Sequence, residues 1–261
     1  MKLLFIGDIF GRPGRRCIEH FLPEIREEFS IDIIVANAEN AAGGLGATPE
    51  ILDELLGYGV HGFTFGNHTW RKRALVKGID KFDCVARPAN YHEGAPGQGA
   101  VVLPLPDGRS LGVINVIGRV FMEAFDCPFE VADREVEYMR ETTDFVLVDM
   151  HAEATSEKVA MGWYLDGKCS AVVGTHTHIQ TADEHVLPKG TAYITDVGMT
   201  GPQDSVIGVR KEIVVQKFLD GMPSTFEVSD DRPGIRAVVI EMDDATGKAL
   251  SIRRVARDMA L

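Results

Sequence analysis

The chain has little cysteine and no two cysteines close together: Cys17, Cys84, Cys127 and Cys169 are scattered over 261 residues without a Cys-x-x-Cys pair. That spacing excludes a disulfide framework and a zinc ribbon, and the thiols are expected to be reduced packing residues. Long hydrophobic runs are also lacking, so no segment is expected to cross a membrane. The opening MKLLFIGDIFGRPG has one Lys, and its apolar stretch stops at Asp8 without a small-residue cleavage site. It is therefore not expected to be a signal peptide, and a cytoplasmic location is predicted. Positive charge is scarce as well, with 27 Lys and Arg against 39 Asp and Glu for a net charge of −12. A chain this acidic is a poor partner for duplex DNA, which needs positive potential along its backbone. An anionic small-molecule substrate would require local Arg or Lys, or bound cations, to offset the repulsion. Internal repeats and low-complexity tracts are absent too, which excludes solenoids and fibrous arrays.

What is present is an ordinary globular composition, 45% hydrophobic and 25% charged, in a chain of a size that one core can serve. A single domain over residues 1–261 is expected. Strand-length apolar runs occur at Leu3–Gly7, Ile31–Asn37, Val60–Phe65, Phe145–Asp149, Ala171–Gly174 and Thr191–Thr195. Helical patterns lie between them at Arg15–Phe29, at Thr48–Leu56 with a Thr N-cap and Pro49 in the first turn, and from Ser156 to Leu165. This alternation signals an α/β fold. The first three runs are continuous rather than alternating, as in parallel strands covered on both faces. Ala100–Leu105 and Leu111–Ile117 flank an Asp107-Gly108 turn, and Ile235–Met242 and Leu250–Ala256 flank another, so mixed sheets with antiparallel late strands are predicted. Glu212–Phe218 also reads as a late strand. Arg119–Glu130 is apolar without clear periodicity, which is compatible with a core loop, a lid or an oligomer contact.

The informative pattern lies just past the strand ends. The runs lead into Asp8, into Glu39 and Asn40, into Gly66-Asn67-His68, into His151, and into Thr175-His176-Thr177-His178. In parallel α/β sheets the carboxyl ends of the strands form the ligand-binding edge, so these groups are expected on one rim. Gathering carboxylates, amides and imidazoles at one edge is costly without a cation. Alternation along an extended segment would put both rings of His176-x-His178 on one face, suited to one ion or two neighbouring ions. Mixed oxygen and imidazole donors suit Mn, Fe, Zn or Co better than Mg. Two rival motifs fail. Gly7, Gly11 and Gly14 have the wrong spacing for a dinucleotide fingerprint, and no Gly-Lys-Ser/Thr follows to make a phosphate loop.

In their order, Gly7-Asp8, Glu39-Asn40, Gly66-Asn67-His68, His151 and Gly174-Thr175-His176-Thr177-His178 resemble the motifs of the calcineurin-like metallophosphoesterases. The wording GDIFGRPGR, ANAENAAGG, FGNHTW, DMHAEATSEK, GTHTHIQTAD and TDVGMTGP is similar to the bacterial YmdB-like branch across nearly the whole length. The resemblance implies an α/β/β/α sandwich with mixed sheets, and a binuclear phosphodiesterase acting on cyclic nucleotides, 2′,3′-cyclic and also 3′,5′-cyclic, by attack of a metal-bridging hydroxide. It further implies that Asp8, Asn40 and His178 hold one metal, that Asn67, His151 and His176 hold the second, and that Glu39 bridges them. His68 would donate a proton to the leaving oxygen, and Fe or Mn would be the expected metals, with Zn as an alternative. The chain departs from the wider superfamily in three places. Asp8-Ile9-Phe10 lacks the usual Asp-x-His histidine, Glu39 stands where Asp is common, and Thr69 follows Asn-His in place of an acid. Asn40 is the residue placed to replace the missing ligand.

The other notable side chains receive plainer readings. His20, His61 and His92 are expected to pack or face solvent, whereas His185 is close enough in sequence to the His-x-His segment to be a supporting residue. Arg119 and Arg210 are candidates for substrate phosphate, and Trp70 for core packing or stacking on a base. Two alternatives remain open: a metal-dependent amidohydrolase, and a regulatory protein that binds metal and nucleotide with little turnover. A homo-oligomer is expected, through Arg119–Glu130 and Glu212–Phe218.

Overall fold

In the computed structural model, which describes residues 1–123 and 125–259, the runs of β-branched and aromatic residues pair into two mixed sheets. In chain order the strands are β1 (Lys2–Ile6), β2 (Asp8–Ile9), β3 (Ile33–Asn37), β4 (Gly62–Thr64), β5 (Val85–Ala86), β6 (Ala100–Pro104), β7 (Ser110–Ile117), β8 (Val146–His151), β9 (Ala171–Thr175), β10 (His185–Val186), β11 (Ala192–Ile194), β12 (Met199–Pro202), β13 (Pro233–Met242) and β14 (Ala249–Asp258). The helices are α1 (Gly11–Phe29), α2 (Pro49–Gly57), α3 (Arg73–Gly78), α4 (Pro128–Arg140), α5 (Thr155–Tyr164) and α6 (Lys211–Asp220). The first sheet runs β2-β12-β13-β1-β3-β4-β5 with β14 also on β13, and the second runs β10-β11-β9-β8-β7-β6.

Strand alternation sorts the core into three apolar layers. Leu3 and Phe5 of β1 point toward the second sheet and meet Leu147 and Val173. Leu4 and Ile6 point the other way, onto the Ile18, Leu22 and Ile25 stripe of α1. On the far side, Val146 and Val148 of β8 pack with Val136 of α4 and Met161 of α5. The result is the α/β/β/α sandwich with mixed sheets. β1, β3, β4 and β5 are parallel, as are β7, β8, β9 and β11. The hairpins β6–β7 and β13–β14 are antiparallel. Thr48 caps α2 by accepting the Ile51 amide N–H at 3.4 Å, with Pro49 in the first turn.

One local reading requires correction. Glu212–Phe218 lies within α6 and is not a strand. Its Ile-Val-Val run has β propensity, but Gly221 ends the segment in left-handed backbone (φ 68°), and only Val214 of the helix is buried. Of the segment Arg119–Glu130, the described residues before Pro128 lie outside helices and strands, and Pro128 begins α4. Ala124 within that segment lies outside the described residues. Among the described residues no helix is long and apolar enough to cross a membrane.

Candidate metal centre

Five parallel strands of the two sheets bring their carboxyl ends to a common edge, and each delivers part of a buried polar cluster. From the first sheet, Asp8 follows β1, Glu39 and Asn40 follow β3, and Asn67 and His68 follow β4. From the second, His151 closes β8, and His176 and His178 follow β9. Asp8, Glu39, Asn40 and His151 are buried. Asp8, Glu39, Asn40, Asn67, His68, His151, His176 and His178 come together. Glu39 is central: its Oε1 lies 3.1 Å from His151 Nε2 and 3.3 Å from Asn40 Nδ2, while its Oε2 accepts the His68 backbone N–H at 2.9 Å. On one side, His151 Nε2 is 3.0 Å from Asn67 Oδ1 and 3.1 Å from His176 Nδ1. On the other, Asn40 Nδ2 is 3.2 Å from His178 Nε2 and 3.5 Å from Asp8 Oδ1. Gly66 permits this closeness, because a Cβ there would lie 2.2 Å from the His151 ring and 2.5 Å from Glu39 Oε2.

The His-x-His pair reaches the cluster by a different backbone path from the one its spacing suggests. β9 stops at Thr175, and His176 and His178 both adopt left-handed backbone, with φ of 98° and 68°. The chain coils instead of extending, so the two rings take separate neighbours. Such conformations cost about 1–3 kcal/mol each and persist only where the surroundings enforce them. Here Asp196 does so. Its carboxylate accepts Thr177 N–H at 3.1 Å and Thr177 Oγ1–H at 2.6 Å, and pairs with the buried Lys158 ammonium at 2.6 Å.

A second polar layer, unread in the sequence, supports the first. Thr175 Oγ1 donates to Asp149 Oδ1 at 2.7 Å and stands 2.9 Å from His151 Nδ1. It can therefore accept the Nδ1–H and leave Nε2 facing the cluster. Asn37 Nδ2 donates to Asp149 Oδ2 at 3.2 Å, and Asn37 Oδ1 accepts the Glu39 backbone N–H at 3.1 Å. Burial pushes the Asp149 carboxyl up to about 6 despite these donors. An Asp in an otherwise apolar strand, two residues before His151, was the available signal.

Electrostatically the cluster calls for a cation. Burial raises the Asp8 carboxyl. Burial works against charge on both Glu39 and His151, yet their mutual attraction wins, lowering the Glu39 carboxyl and raising the His151 imidazole. Burial also holds His176 and His68 below the ordinary histidine value, the nearby Glu39 opposing it in each case. Among the described residues no Lys or Arg pairs with Asp8 or Glu39. Among the described His, Cys, Asp and Glu residues, Glu39, His151 and His176 offer donor atoms within 4.8 Å of one another, a separation one ion can bridge. Asn40 turns its Nδ2 to the carboxylates and its Oδ1 to His68 Nδ1 at 2.9 Å, so ligation by its oxygen requires a half-turn of the amide.

Several secondary candidates stand apart. Arg119 is bound through its backbone to Glu157 and its side chain reaches Cys127, and Arg210 pairs with Glu227 at 3.3 Å. His185 on β10 faces Tyr193 and meets the Asp183 carbonyl, outside the cluster. Trp70 packs on the core layer beneath α1, tilted against Tyr91. His20 and His92 are exposed, and His61 is half-buried with Nδ1 accepting the Ile34 N–H at 3.1 Å. Two residues next to the cluster were not read from sequence. Glu153 Oε2 lies 3.2 Å from His176 Nε2, and the Phe10 ring meets the His178 ring edge-on at 5.6 Å.

Comparison with known proteins follows the same lines. A family model described as YmdB-like protein matches residues 4–255. A Bacillus subtilis (strain 168) protein named 2′,3′-cyclic-nucleotide 2′-phosphodiesterase is 45% identical over 255 residues, 98% of this chain and 96% of its own length. A crystal structure of a hypothetical protein from Thermus thermophilus superposes with a TM-score of 0.92 at 41% identity, covering 100% of both chains. A structure described as a novel phosphatase from Mycoplasma pneumoniae gives a TM-score of 0.92 at 32% identity, covering 99% of this chain and 93% of that one.

Proposed function

Because the chain belongs to the YmdB-like family, we propose that it is a phosphodiesterase that hydrolyses 2′,3′-cyclic nucleotides at the ester to the 2′ oxygen, using two transition-metal ions. The observation that carries this reading is the central position of Glu39, between His151 on one side and Asn40 on the other. Asp8, Asn40 and His178 are the residues to hold one ion, Asn67, His151 and His176 the other, and Glu39 to bridge them. The donors are carboxylate and amide oxygen with imidazole nitrogen, which favours Fe or Mn, with Zn as the alternative. Bound ions there supply Lewis acidity to the phosphoryl oxygens and bring deprotonation of water into the neutral range.

The remaining work falls to the chain's own groups. His68 Nδ1 lies against the Asn40 side-chain amide, and once that amide has made the half-turn that ligation requires, its Nδ2–H would donate to His68 Nδ1, fix the ring at the mouth of the cluster and leave the ring proton on Nε2. That Nε2 is the atom to deliver a proton to the departing 2′ oxygen as the phosphorus–oxygen bond breaks. Asp149 and Thr175 hold the His151 tautomer. The cores of the two sheets share one layer, which supports the whole chain acting as one domain, and the free thiols suit the cytoplasm. Association into a homo-oligomer belongs to the same reading, with a solution mass above 28.6 kDa as its check.

Chelator-stripped protein reloaded with Mn²⁺ is to be assayed on bis-p-nitrophenyl phosphate, on the corresponding monoester, and on 2′,3′- and 3′,5′-cyclic AMP. Chelator-sensitive turnover that favours the diester and the 2′,3′-cyclic nucleotide is expected. Tight nucleotide binding without turnover, in protein carrying two metals per chain, would instead make it a regulatory binding protein.

A further inference from the structure

A cavity of about 320 Å³ opens beside the cluster, and Asn40, His68 and His178 form its polar floor. Its walls are apolar, made mainly by Phe10, Leu45, Ile207, Val209, Phe226 and Val228. Three of these are large hydrophobic side chains left substantially open to water: Leu45 is 47% exposed, Ile207 51% and Phe226 51%. Such residues gathered around one concavity that adjoins a polar centre are the mark of a ligand pocket. The walls are also built at a cost. Ile207 holds left-handed backbone (φ 47°), an outlier for a β-branched residue, while its carbonyl lies 3.0 Å from His178 Nδ1. Gly44 and Gly208, both at positive φ, close on the Phe10 ring, where a Cβ would come within 2.7 and 2.5 Å.

We propose that this cavity seats the nucleobase of the substrate, with the Phe226 ring as its stacking wall. The inference rests on the phosphodiesterase reading and adds that the enzyme recognises the base as well as the phosphate. The occupant must be uncharged and flat, because the walls offer hydrocarbon and aromatic faces, and the cavity's one carboxylate, Glu227, is paired with Arg210. The volume is near the lower end of small-ligand pockets, roughly 300–1,000 Å³, which suits a base and not a polymer. The ammonium of Lys217 lies 4.6 Å from the Phe226 ring centre, a cation–π contact on that ring. On the opposite flank of the cluster, Glu153 stands against His176 and offers a carboxylate in place of an apolar wall.

The test compares 2′,3′-cyclic AMP with the 2′,3′-cyclic phosphate of methyl riboside, which lacks a base, in the metal-loaded full chain. The wild type is expected to prefer the nucleotide at least about tenfold in kcat/KM, mainly through KM. Phe226→Ala is expected to reduce that preference by about fivefold or more, and Phe226→Tyr to keep it. Phe226 is half exposed, so neither change threatens the fold. Equal kcat/KM on the two substrates in the wild type overturns the inference and leaves the phosphodiesterase standing. So does a preference that both Phe226→Ala and Ile207→Ala leave intact. Failure to hydrolyse either substrate under Mn, Fe or Zn overturns the phosphodiesterase reading, and this one with it.

Discussion

At the scale of single residues, the site is a set of ligand candidates whose orientation is decided one layer below. His68→Ala removes the proposed proton donor while leaving the surrounding carboxylates and imidazoles in place. It is expected to retain both metals, measured by elemental analysis, and to slow diester hydrolysis at least about a hundredfold. Wild-type rates in the metal-loaded variant would exclude the role. Thr175→Val keeps the side-chain shape but takes away the oxygen between His151 Nδ1 and Asp149. Metal affinity is expected to fall about 10- to 100-fold by titration calorimetry, the usual effect of losing a ligand's orienting partner. His61 tests a histidine outside the site. Burial, helped by the nearby Arg26, depresses its folded-state pKa, and Nδ1 accepts the Ile34 N–H. Its stabilising contribution is therefore full above the unfolded-chain value of about 6.5 and is lost as the pH falls from there through the lower folded value. In His61→Asn, which keeps an acceptor but does not titrate, Tm should drop less than in the wild type between pH 7.5 and 5.0. An equal drop in both proteins would assign the acid sensitivity elsewhere. The ligand candidates were legible because Asp, Glu, Asn and His gathered at the ends of apolar runs; Asp149 and Thr175 were not, because an Asp closing an apolar run and a Thr beside two histidines carry no mark of the ligand they orient.

At the scale of elements, the loop after β9 is shaped by α5. Lys158 of α5 and Asp196 are a buried pair, and the same Asp196 carboxylate binds both Thr177 N–H and Thr177 Oγ1–H between the two histidines. Lys158→Met leaves that carboxylate buried without its cation. Breaking such a pair costs about 3–5 kcal/mol, so urea unfolding should show a loss of that order, accompanied by reduced metal content. Unchanged metal content would show that the loop holds His176 and His178 without help from α5. This arrangement escapes sequence reasoning because the contact spans elements and the left-handed backbone at His176 and His178 leaves no mark in residue type. The same limit explains α6. Its Ile213-Val214-Val215 run satisfies strand propensity, and only its placement as an outlying segment with one buried residue makes a helix the better solution. In α4 the apolar spacing of Val131, Val136 and Met139 is helical, but it begins just past an aperiodic loop that obscures its start. Parallel strands and hairpins, by contrast, carry their signals locally, in continuous apolar runs and in Asp-Gly turns.

At the scale of the whole molecule, the cluster lies where the two sheets meet, and that position couples metal to stability. Asp8, Glu39, Asn40 and Asn67 come from the first sheet, and His151, His176 and His178 from the second. No ion shared by these groups can survive separation of the sheets, so the folded state alone binds it. Stripping metal also leaves Asp8 and Glu39 buried with no Lys or Arg partner among the described residues, their charge offset only by nearby imidazoles. Each site filled at about a hundred times its dissociation constant adds roughly 2.7 kcal/mol to unfolding. For a chain of this size about 2–4 °C accompanies each kcal/mol, so one site corresponds to a rise of roughly 5–10 °C. Calorimetry on chelated protein, before and after Mn²⁺ is restored, should show a gain of at least that size. Glu39→Gln, which removes the charge common to both sides of the cluster, should abolish most of it. If chelation strips the metal and Tm does not move, then the ligands are not contributed across the sheet interface as a unit. The assignment of one ion to each side of Glu39 would then have to be abandoned.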